Sequence, residues 1–186
     1  MKLEETTMPF VIGAIVLVGL LCTVDLVLTL GVVKRLREHT EMLSNMGNTA
    51  TAIGVGDVVG QFSTSTVDHE PLSPDLFTGE TVVAFLSPDC GPCNEKLPKF
   101  VEFARARPDG RNRAVAVVVG GTDQAAPFVA ELAAVARVVV EEPDGPVGAA
   151  FNVKAYPAVL EVAPNGAGRL VVTADRVDLD QLPLVV

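Results

Sequence analysis

The sequence predicts a layered α/β or α+β domain that follows a single membrane-spanning helix. Two patterns after residue 55 support the domain: short apolar runs alternate with stretches of helical spacing, and a strong hairpin signal lies near the C-terminus. One pattern supports the membrane helix: residues 10–33 are almost entirely apolar and carry one charge, Asp25. A helix of that length crosses a hydrocarbon core of roughly 30 Å.

The apolar segment 10–33 is best explained as an uncleaved, single-pass anchor. A cleaved signal peptide fits less well, because the apolar region is too long and no Ala-x-Ala-like site follows it. Asp25 is either a tolerated polar residue or a contact with another membrane protein, and both interpretations stay open. Cys22, on the same face, is interpreted as a small packing residue.

The charges near the span bear on its orientation. Lys34, Arg35 and Arg37 follow it, whereas only Lys2 and the amino terminus precede it. The positive-inside rule alone would therefore place the C-terminal side in the cytoplasm. The predicted organisation is a flank at 1–9, the span at 10–33, a juxtamembrane helix and linker at 34–54, and a domain at 55–186.

The first half of the domain is predicted to lead to a central strand. Phe62 is a candidate core residue, and His69 lies in a turn. The predicted elements are an edge strand at 63–67, a turn at 68–71, a helical turn at 72–77 capped by Ser73, and a buried strand at 81–86.

The second half alternates helices and strands and ends in the hairpin. The run 114–119 is continuously apolar, which is typical of a strand covered on both faces. Thr122 or Asp123 could cap the helix that follows. The remaining predicted elements are a helix at 124–135, a strand at 137–140, a short helix at 147–151, hairpin strands at 158–162 and 168–173, and a helical stub at 179–186.

Cys90 and Cys93 follow the central strand at once, in the sequence Cys90-Gly91-Pro92-Cys93. Helical spacing begins just after them, so Cys90 is expected at the mouth of a helix and Cys93 in its first turn. The free N–H groups and dipole at a helix N-terminus favour a thiolate. A thiolate attacks disulfides, and a second cysteine can resolve the mixed disulfide. The pattern therefore predicts redox chemistry.

Other kinds of site have less support. A four-ligand zinc site would need Cys22, His39 or His69 in addition to the pair, and their spacing does not suit one. A net charge of −9 argues against nucleic-acid binding through a basic face. The sequence contains no dinucleotide or Walker fingerprint, and no dissociable organic cofactor is expected.

These residues resemble the thioredoxin superfamily, and more narrowly the membrane-anchored thiol–disulfide oxidoreductases of the cytochrome-c-maturation and methylamine-utilisation accessory type. The resemblance covers about residues 55–173. It is carried by GDVVGQF at the entry, VVAFLSPDCGPCNEKLP at the strand and helix, and EPDGPVGAAFNVKAYPAVLEVAPNG before the final hairpin. It implies a thioredoxin-like fold, in which helices flank a central mixed sheet.

The resemblance also implies roles for individual residues. Cys90 would be the nucleophile and Cys93 the resolving thiol. Pro157 would be a cis-proline facing the cysteines, and Tyr156 would present its backbone to an extended substrate. Gly91 and Pro92 match the dipeptide of reducing thioredoxins.

Several positions depart from the family pattern. Asp89 replaces the aromatic residue before the first cysteine, and its negative charge opposes a thiolate at Cys90. Ala84 replaces the buried acid of thioredoxin, and Lys96 replaces the glutamate of related reductases. Proton transfer to Cys93 would then rely on water or on Glu95. Gly60 replaces the entry proline, and the C-terminal helix is shortened.

The resulting functional hypothesis is a membrane-tethered thiol–disulfide oxidoreductase that reduces or isomerises disulfides. Its expected partners are disulfide-containing proteins, a redox protein that could be membrane-embedded, and the lipid bilayer. The resemblance favours the extracytoplasmic side, against the charge bias. One alternative is a binding or assembly module with a structural Cys90–Cys93 disulfide. The other is a peroxidase, weakened by the CxxC pair and by Ser87 where peroxidases carry threonine.

Overall fold

The computed structural model describes residues 17–23, 51–108 and 110–181. Its contacts divide the chain into two compact units, Met1–Thr49 and Ala50–Val186. In the first unit, residues 17–23 are helical. The predicted flank 1–9, the rest of the predicted span and the juxtamembrane segment up to residue 50 lie outside the described residues. Within the described parts of the chain, no helix is long and apolar enough to cross a membrane.

The second unit is built on a five-stranded mixed sheet with the strand order β5-β4-β3-β6-β7. The first three strands are parallel, and the last two run antiparallel to their neighbours. The mixed α/β architecture expected from the sequence is therefore confirmed. The strands are β3 Thr81–Leu86, β4 Ala114–Val119, β5 Arg137–Glu141, β6 Ala158–Pro164 and β7 Leu170–Ala174.

β3 is the middle strand of the sheet and β4 lies beside it. Every residue in both strands is buried. Successive side chains of a strand point to opposite faces, so an apolar run supplies a core on each side. Val82, Ala84 and Leu86 pack into one apolar cluster, and Val83 and Phe85 into the other. The prediction of these two strands from their apolar runs is confirmed.

Three α-helices cover the sheet: α1 Gly91–Ala106, α2 Thr122–Leu132 and α3 Pro146–Ala150. α2 begins two residues earlier than its periodicity suggested. Its N-cap is Gly121, whose N–H donates to Gln124 Oε1 at 3.3 Å. A glutamine at the third helical position thus supplies the cap for which Thr122 or Asp123 was a candidate.

A small antiparallel ladder precedes the main sheet. β1 Thr64–Ser65 pairs with β2 Pro71–Leu72 across the predicted turn, in which His69 has a φ of 62°. A 3₁₀ helix follows at Pro74–Leu76, without a side-chain hydrogen bond from Ser73. A second 3₁₀ helix, Gly110–Arg113, precedes β4.

The edges of the unit are held by a few backbone contacts. The N–H of Ile53 donates to the carbonyl of Phe151 at 3.0 Å, and Ala52 is buried. These residues belong to the end of the predicted linker. After β7, residues 175–181 form turns rather than a helix, and Leu179 is buried against the cluster that contains α1. The rest of the predicted C-terminal stub, 182–186, lies outside the described residues.

Candidate active site

The two cysteines lie where β3 passes into α1. β3 ends at Leu86, and Cys90 is the N-cap of α1 with extended backbone angles. Its N–H donates to the carbonyl of Ser87 at 3.1 Å, and its own carbonyl accepts the N–H of Cys93 at 3.0 Å. The tight loop therefore places Cys90 in front of the free N–H groups of the first helical turn. This is the position predicted from the sequence.

Asn94 secures this loop and was missed in the sequence analysis. Its amide Nδ2 donates to the carbonyls of Pro88 and Cys90, each at 3.0 Å. One side chain thus ties the first turn of α1 to the loop before it. The available signal was an amide residue in the first turn of a helix, where such side chains commonly bond to nearby backbone groups.

Cys93 is fully buried in the first turn of α1, whereas Cys90 is only half-buried. Burial raises the pKa of the Cys93 thiol to about 12, and a hydrogen bond with the Cys90 thiol adds to the effect. The backbone of Ser87 and the positive charge of Lys96 act in the opposite direction. The inner thiol is therefore held in its protonated form at neutral pH.

The segment before β6 faces Cys90. Cys90 Sγ donates to the carbonyl oxygen of Tyr156 at 3.5 Å, and the Tyr156–Pro157 peptide bond is cis, as expected. The antiparallel pairing of β3 with β6 explains this meeting, because Ala158 stands opposite Phe85 near the end of β3. Residues 66 positions apart are thus brought into contact.

The space in front of Cys90 is open. Gly91, Pro92 and Asp89 are all exposed, and a Cβ added at Gly91 would meet no atom within 4 Å. Tyr156 is half-buried beside this opening. Burial raises the pKa of its phenol, and the negative charges of Glu141 and Asp144 raise it further. The outer thiol is therefore accessible on one side and bordered by Tyr156 on the other.

Glu141 is a buried carboxyl near this site that the sequence analysis did not single out. Its two oxygens accept the N–H groups of Val147 at 3.0 Å and Gly148 at 2.7 Å. Burial raises its pKa, although these two hydrogen bonds lower it in part. The signal was a carboxylate directly after the apolar run Val138–Val140. Its bonds hold the start of α3 against the end of β5.

No cluster of three or more His, Cys, Asp or Glu side chains that could hold a metal ion occurs within residues 17–23, 51–108 and 110–181.

Comparisons with known proteins identify the architecture. No protein-family model and no curated protein matches the sequence. Among solved structures, a thiol:disulfide interchange protein from Bacteroides sp. is similar with a TM-score of 0.52 and 17% identity, covering 66% of this chain and 80% of that one. The thioredoxin domain of a Bacteroides vulgatus thiol-disulfide oxidoreductase gives 0.50 and 16%, covering 64% and 87%.

A third structure, from Chlorobium tepidum and assigned to the thiol:disulfide interchange proteins DsbE, gives a TM-score of 0.50 and 21% identity. It covers 64% of this chain and 83% of its own. The described domain has the thioredoxin fold. At these identities the similarity establishes the fold, and the chemistry has to be argued from the site.

The structure locates the positions at which the sequence departs from the family pattern. Ala84 is fully buried in the apolar cluster that contains Cys93, so this position supplies no carboxyl group beneath the cysteines. Lys96 and Glu95 are exposed on α1. Both line an open groove of about 400 Å³ between α1 and residues 176–180. These two charged groups of α1 thus lie on the solvent side rather than in the core.

Proposed function

We propose that the protein is a membrane-tethered thiol–disulfide oxidoreductase that reduces or isomerises protein disulfides through Cys90 and Cys93. The observation that carries the proposal is the pairing of an accessible thiol at the N-terminus of α1 with a buried thiol one turn inside it. The outer sulfur has room for a partner disulfide, and the inner one is in hydrogen-bonding contact with it. This is the arrangement that two successive thiol–disulfide exchanges require.

The reaction proceeds in two exchanges. The Cys90 thiolate attacks one sulfur of the substrate disulfide, forms a mixed disulfide and expels the other sulfur as a thiolate, which takes a proton from water. Cys93 then loses its proton to water and attacks Cys90 Sγ. The Cys90–Cys93 bond forms, the bond to the substrate breaks, and the substrate leaves with two thiols. A dithiol donor must reduce the resulting disulfide to restore the enzyme.

The contact between Cys90 Sγ and the carbonyl of Tyr156 supports a role for Tyr156 and Pro157 in substrate binding. An extended substrate chain laid along this segment could donate an N–H to the same carbonyl, which would align its disulfide with Cys90. Gly91 and Pro92 are exposed, and the missing side chain at Gly91 leaves room for a substrate to approach Cys90. The Gly-Pro dipeptide favours a reducing poise, with the thioredoxin potential of about −270 mV as reference.

The decisive experiment compares cysteine variants of the full-length chain. Insulin is the disulfide substrate, and dithiothreitol is the dithiol donor. Cys90→Ser is expected to abolish insulin reduction above the background rate of dithiothreitol. Cys93→Ser is expected to accumulate a mixed disulfide that mass spectrometry detects. The matched control is Cys22→Ser, which removes the third cysteine and should leave the rate unchanged. Wild-type turnover by Cys90→Ser would refute the proposal.

The binding-module alternative has one structural observation in its favour. Ala84 leaves no carboxyl group beneath the cysteines to accept the proton of Cys93. A module of that kind would keep its cellular function after loss of both cysteines, and the variants above distinguish the two cases.

Membrane tethering is part of the proposal. It is supported by the apolar composition of residues 10–33 and by the helical form of residues 17–23, whose large apolar side chains Leu17, Val18, Leu20 and Leu21 are each more than half exposed. Retention of the protein in membranes after an alkaline carbonate wash is expected, and release into the supernatant would overturn the tether.

The proposal places the dithiol on the extracytoplasmic side of the membrane. This placement rests on the resemblance alone and is opposed by the basic residues after the span. A membrane-impermeant maleimide applied to intact cells should label Cys90 if the placement is right. Labelling that requires cell lysis would place the site in the cytoplasm.

A further inference from the structure

The buried position of Cys93 leaves the second exchange with an energetic problem. Cys93 must become a thiolate before it can attack Cys90, and burial opposes that ionisation. A carboxyl group at position 84 could have accepted its proton, but Ala84 stands there within the apolar cluster. Any group that stabilises the Cys93 thiolate must therefore lie outside β3.

Lys96 is the positively charged side chain nearest to Cys93 along α1. It lies three residues after Cys93, and side chains at this spacing are neighbours on a helix surface. It is exposed and lines the groove between α1 and the C-terminal segment. Within the described parts of the chain, Lys96 takes part in no ion pair, so its charge is not neutralised by a fixed partner.

The other charged groups around Cys93 do not offer the same help. Cys90, the N-cap of α1, is bonded to the substrate in the mixed disulfide, so its sulfur carries no charge at this step and gives no help to the ionisation of Cys93. From the loop before β6, the phenol of Tyr156 lies within electrostatic reach, and the negative charges of Glu141 and Asp144 lie behind it. Each of these groups is neutral or negative.

The C-terminal segment contributes charges of both signs to the groove. Arg176, Asp178 and Asp180 line it together with Glu95 of α1. Asp180 is held by Lys99 at 2.6 Å, so the next lysine of the helix is occupied by a partner. Lys96 and Lys99 therefore form a natural pair for comparison, because they share a helix and a groove but differ in their partners.

We propose that Lys96 promotes the resolving exchange by placing an unpaired positive charge three residues along α1 from Cys93, where it stabilises the thiolate that attacks Cys90. Lys96 does not contact the reacting sulfurs; it acts through its field on Cys93. This inference rests on the proposed function. An exposed charge of this kind contributes modestly, so we expect an effect of about two- to fivefold on the second exchange.

The test separates the two exchanges in one turnover of the reduced, full-length Cys22→Ser chain, in which Cys90 and Cys93 are the cysteines that remain to react with the probe. The probe is 4,4′-dithiodipyridine, a neutral disulfide, so that its own charge does not interact with Lys96. Attack by Cys90 releases one thiopyridone, and attack by Cys93 on the mixed disulfide releases the second. Stopped-flow absorbance resolves the two phases, and mass spectrometry confirms that the final product is the Cys90–Cys93 disulfide without an adduct.

Lys96→Ala is expected to slow the second phase about two- to fivefold and to leave the first phase unchanged. The Lys96→Arg variant should restore the rate, and Lys99→Ala should match the wild type. Between pH 7 and 9 the second phase should rise with pH in every protein, because burial, the largest cause of the raised Cys93 pKa, persists in the mixed disulfide and keeps most of this thiol protonated. At each pH the second phase of Lys96→Ala should be slower than that of the other proteins by a constant factor. High salt should reduce this difference, because it screens the charge of Lys96.

Two results would overturn the inference while leaving the proposed function intact: an unchanged second phase in Lys96→Ala, or an equal loss in Lys99→Ala. The absence of any second phase in the wild type would instead refute the proposed function itself.

Discussion

The burial of Cys93 predicts that the reduced protein loses stability above pH 9. The pKa of this thiol is about 12 in the folded chain and 9.0 in an unfolded one. Between these values the folded state binds more protons than the unfolded state, so unfolding becomes easier as the pH rises. The stability contributed by the neutral thiol is fully present below pH 9 and is lost as the pH climbs toward 12.

The size of this effect follows from linkage. At pH 10 the unfolded thiol is largely ionised and the folded one is not, which costs on the order of 1 kcal/mol relative to pH 7. Tyrosines and lysines also titrate in this range, so a single pH profile would mix their contributions. Cys93→Ala removes the thiol and keeps the other groups, and the difference between the two proteins isolates Cys93.

The assay is urea unfolding of the reduced full-length chain and of Cys93→Ala at pH 7, 9 and 10, with a reductant present throughout. The stability advantage of the wild type should shrink by on the order of 1 kcal/mol between pH 7 and pH 10, with most of the change above pH 9. A constant difference across this range would show that Cys93 ionises alike in both states. The reasoning from its burial would then be wrong.

Two further predictions concern packing and charge away from the dithiol. Gly145→Ala should lower the free energy of unfolding by about 1–3 kcal/mol in urea titrations, because its Cβ would lie 2.6 Å from Glu141 Cδ. Gly166→Ala, where a Cβ meets no atom within 4 Å, is the matched control, and equal losses would contradict the packing argument. Arg107→Ala should cost about 2–3 kcal/mol, because the nearly buried guanidinium pairs with Glu161 at 2.6 Å. Lys99→Ala breaks the exposed pair with Asp180 instead and should leave the urea midpoint unchanged.

The parts of the fold that the sequence predicted well are those with a strong local pattern. β3 and β4 are continuous apolar runs, and each matches its predicted bounds. The hairpin between β6 and β7 was recognisable at Asn165, whose Oδ1 accepts the N–H groups of Ala167 and Arg169. In these segments the side chain that fixes the conformation is close in sequence to the backbone it fixes.

The parts that were predicted less well depend on contacts between distant segments. β1 and β2 have two residues each, and the chain beside them is held by Val67 donating to the carbonyl of Val138 at 2.8 Å. No local pattern encodes a partner that lies in β5. The pair between Arg107 and Glu161 is of the same kind, since it joins the end of α1 to β6.

The same distinction between local and distant contacts decides which parts of the site could be predicted. The positions of Cys90 and Cys93 at the start of α1 could be predicted because the strand, the loop and the helix are consecutive. The cis bond before Pro157 could be expected only through a resemblance. The contact of Tyr156 with Cys90 depends on β6 lying beside β3, which no local pattern predicts. The environment of Lys96 could not be predicted, because the opposite side of its groove is formed by residues 176–180, some eighty positions later.

The two hydrogen bonds from Asn94 have a consequence for the proposed redox cycle. They connect the carbonyls of Pro88 and Cys90 to the first turn of α1, so the loop that carries the outer sulfur is tied to the helix that carries the inner one. Closing and opening the bond between the two sulfurs then calls for side-chain rotation and little backbone movement. In the proposed cycle, the surface that meets a partner would then keep the same shape in the reduced and oxidised forms.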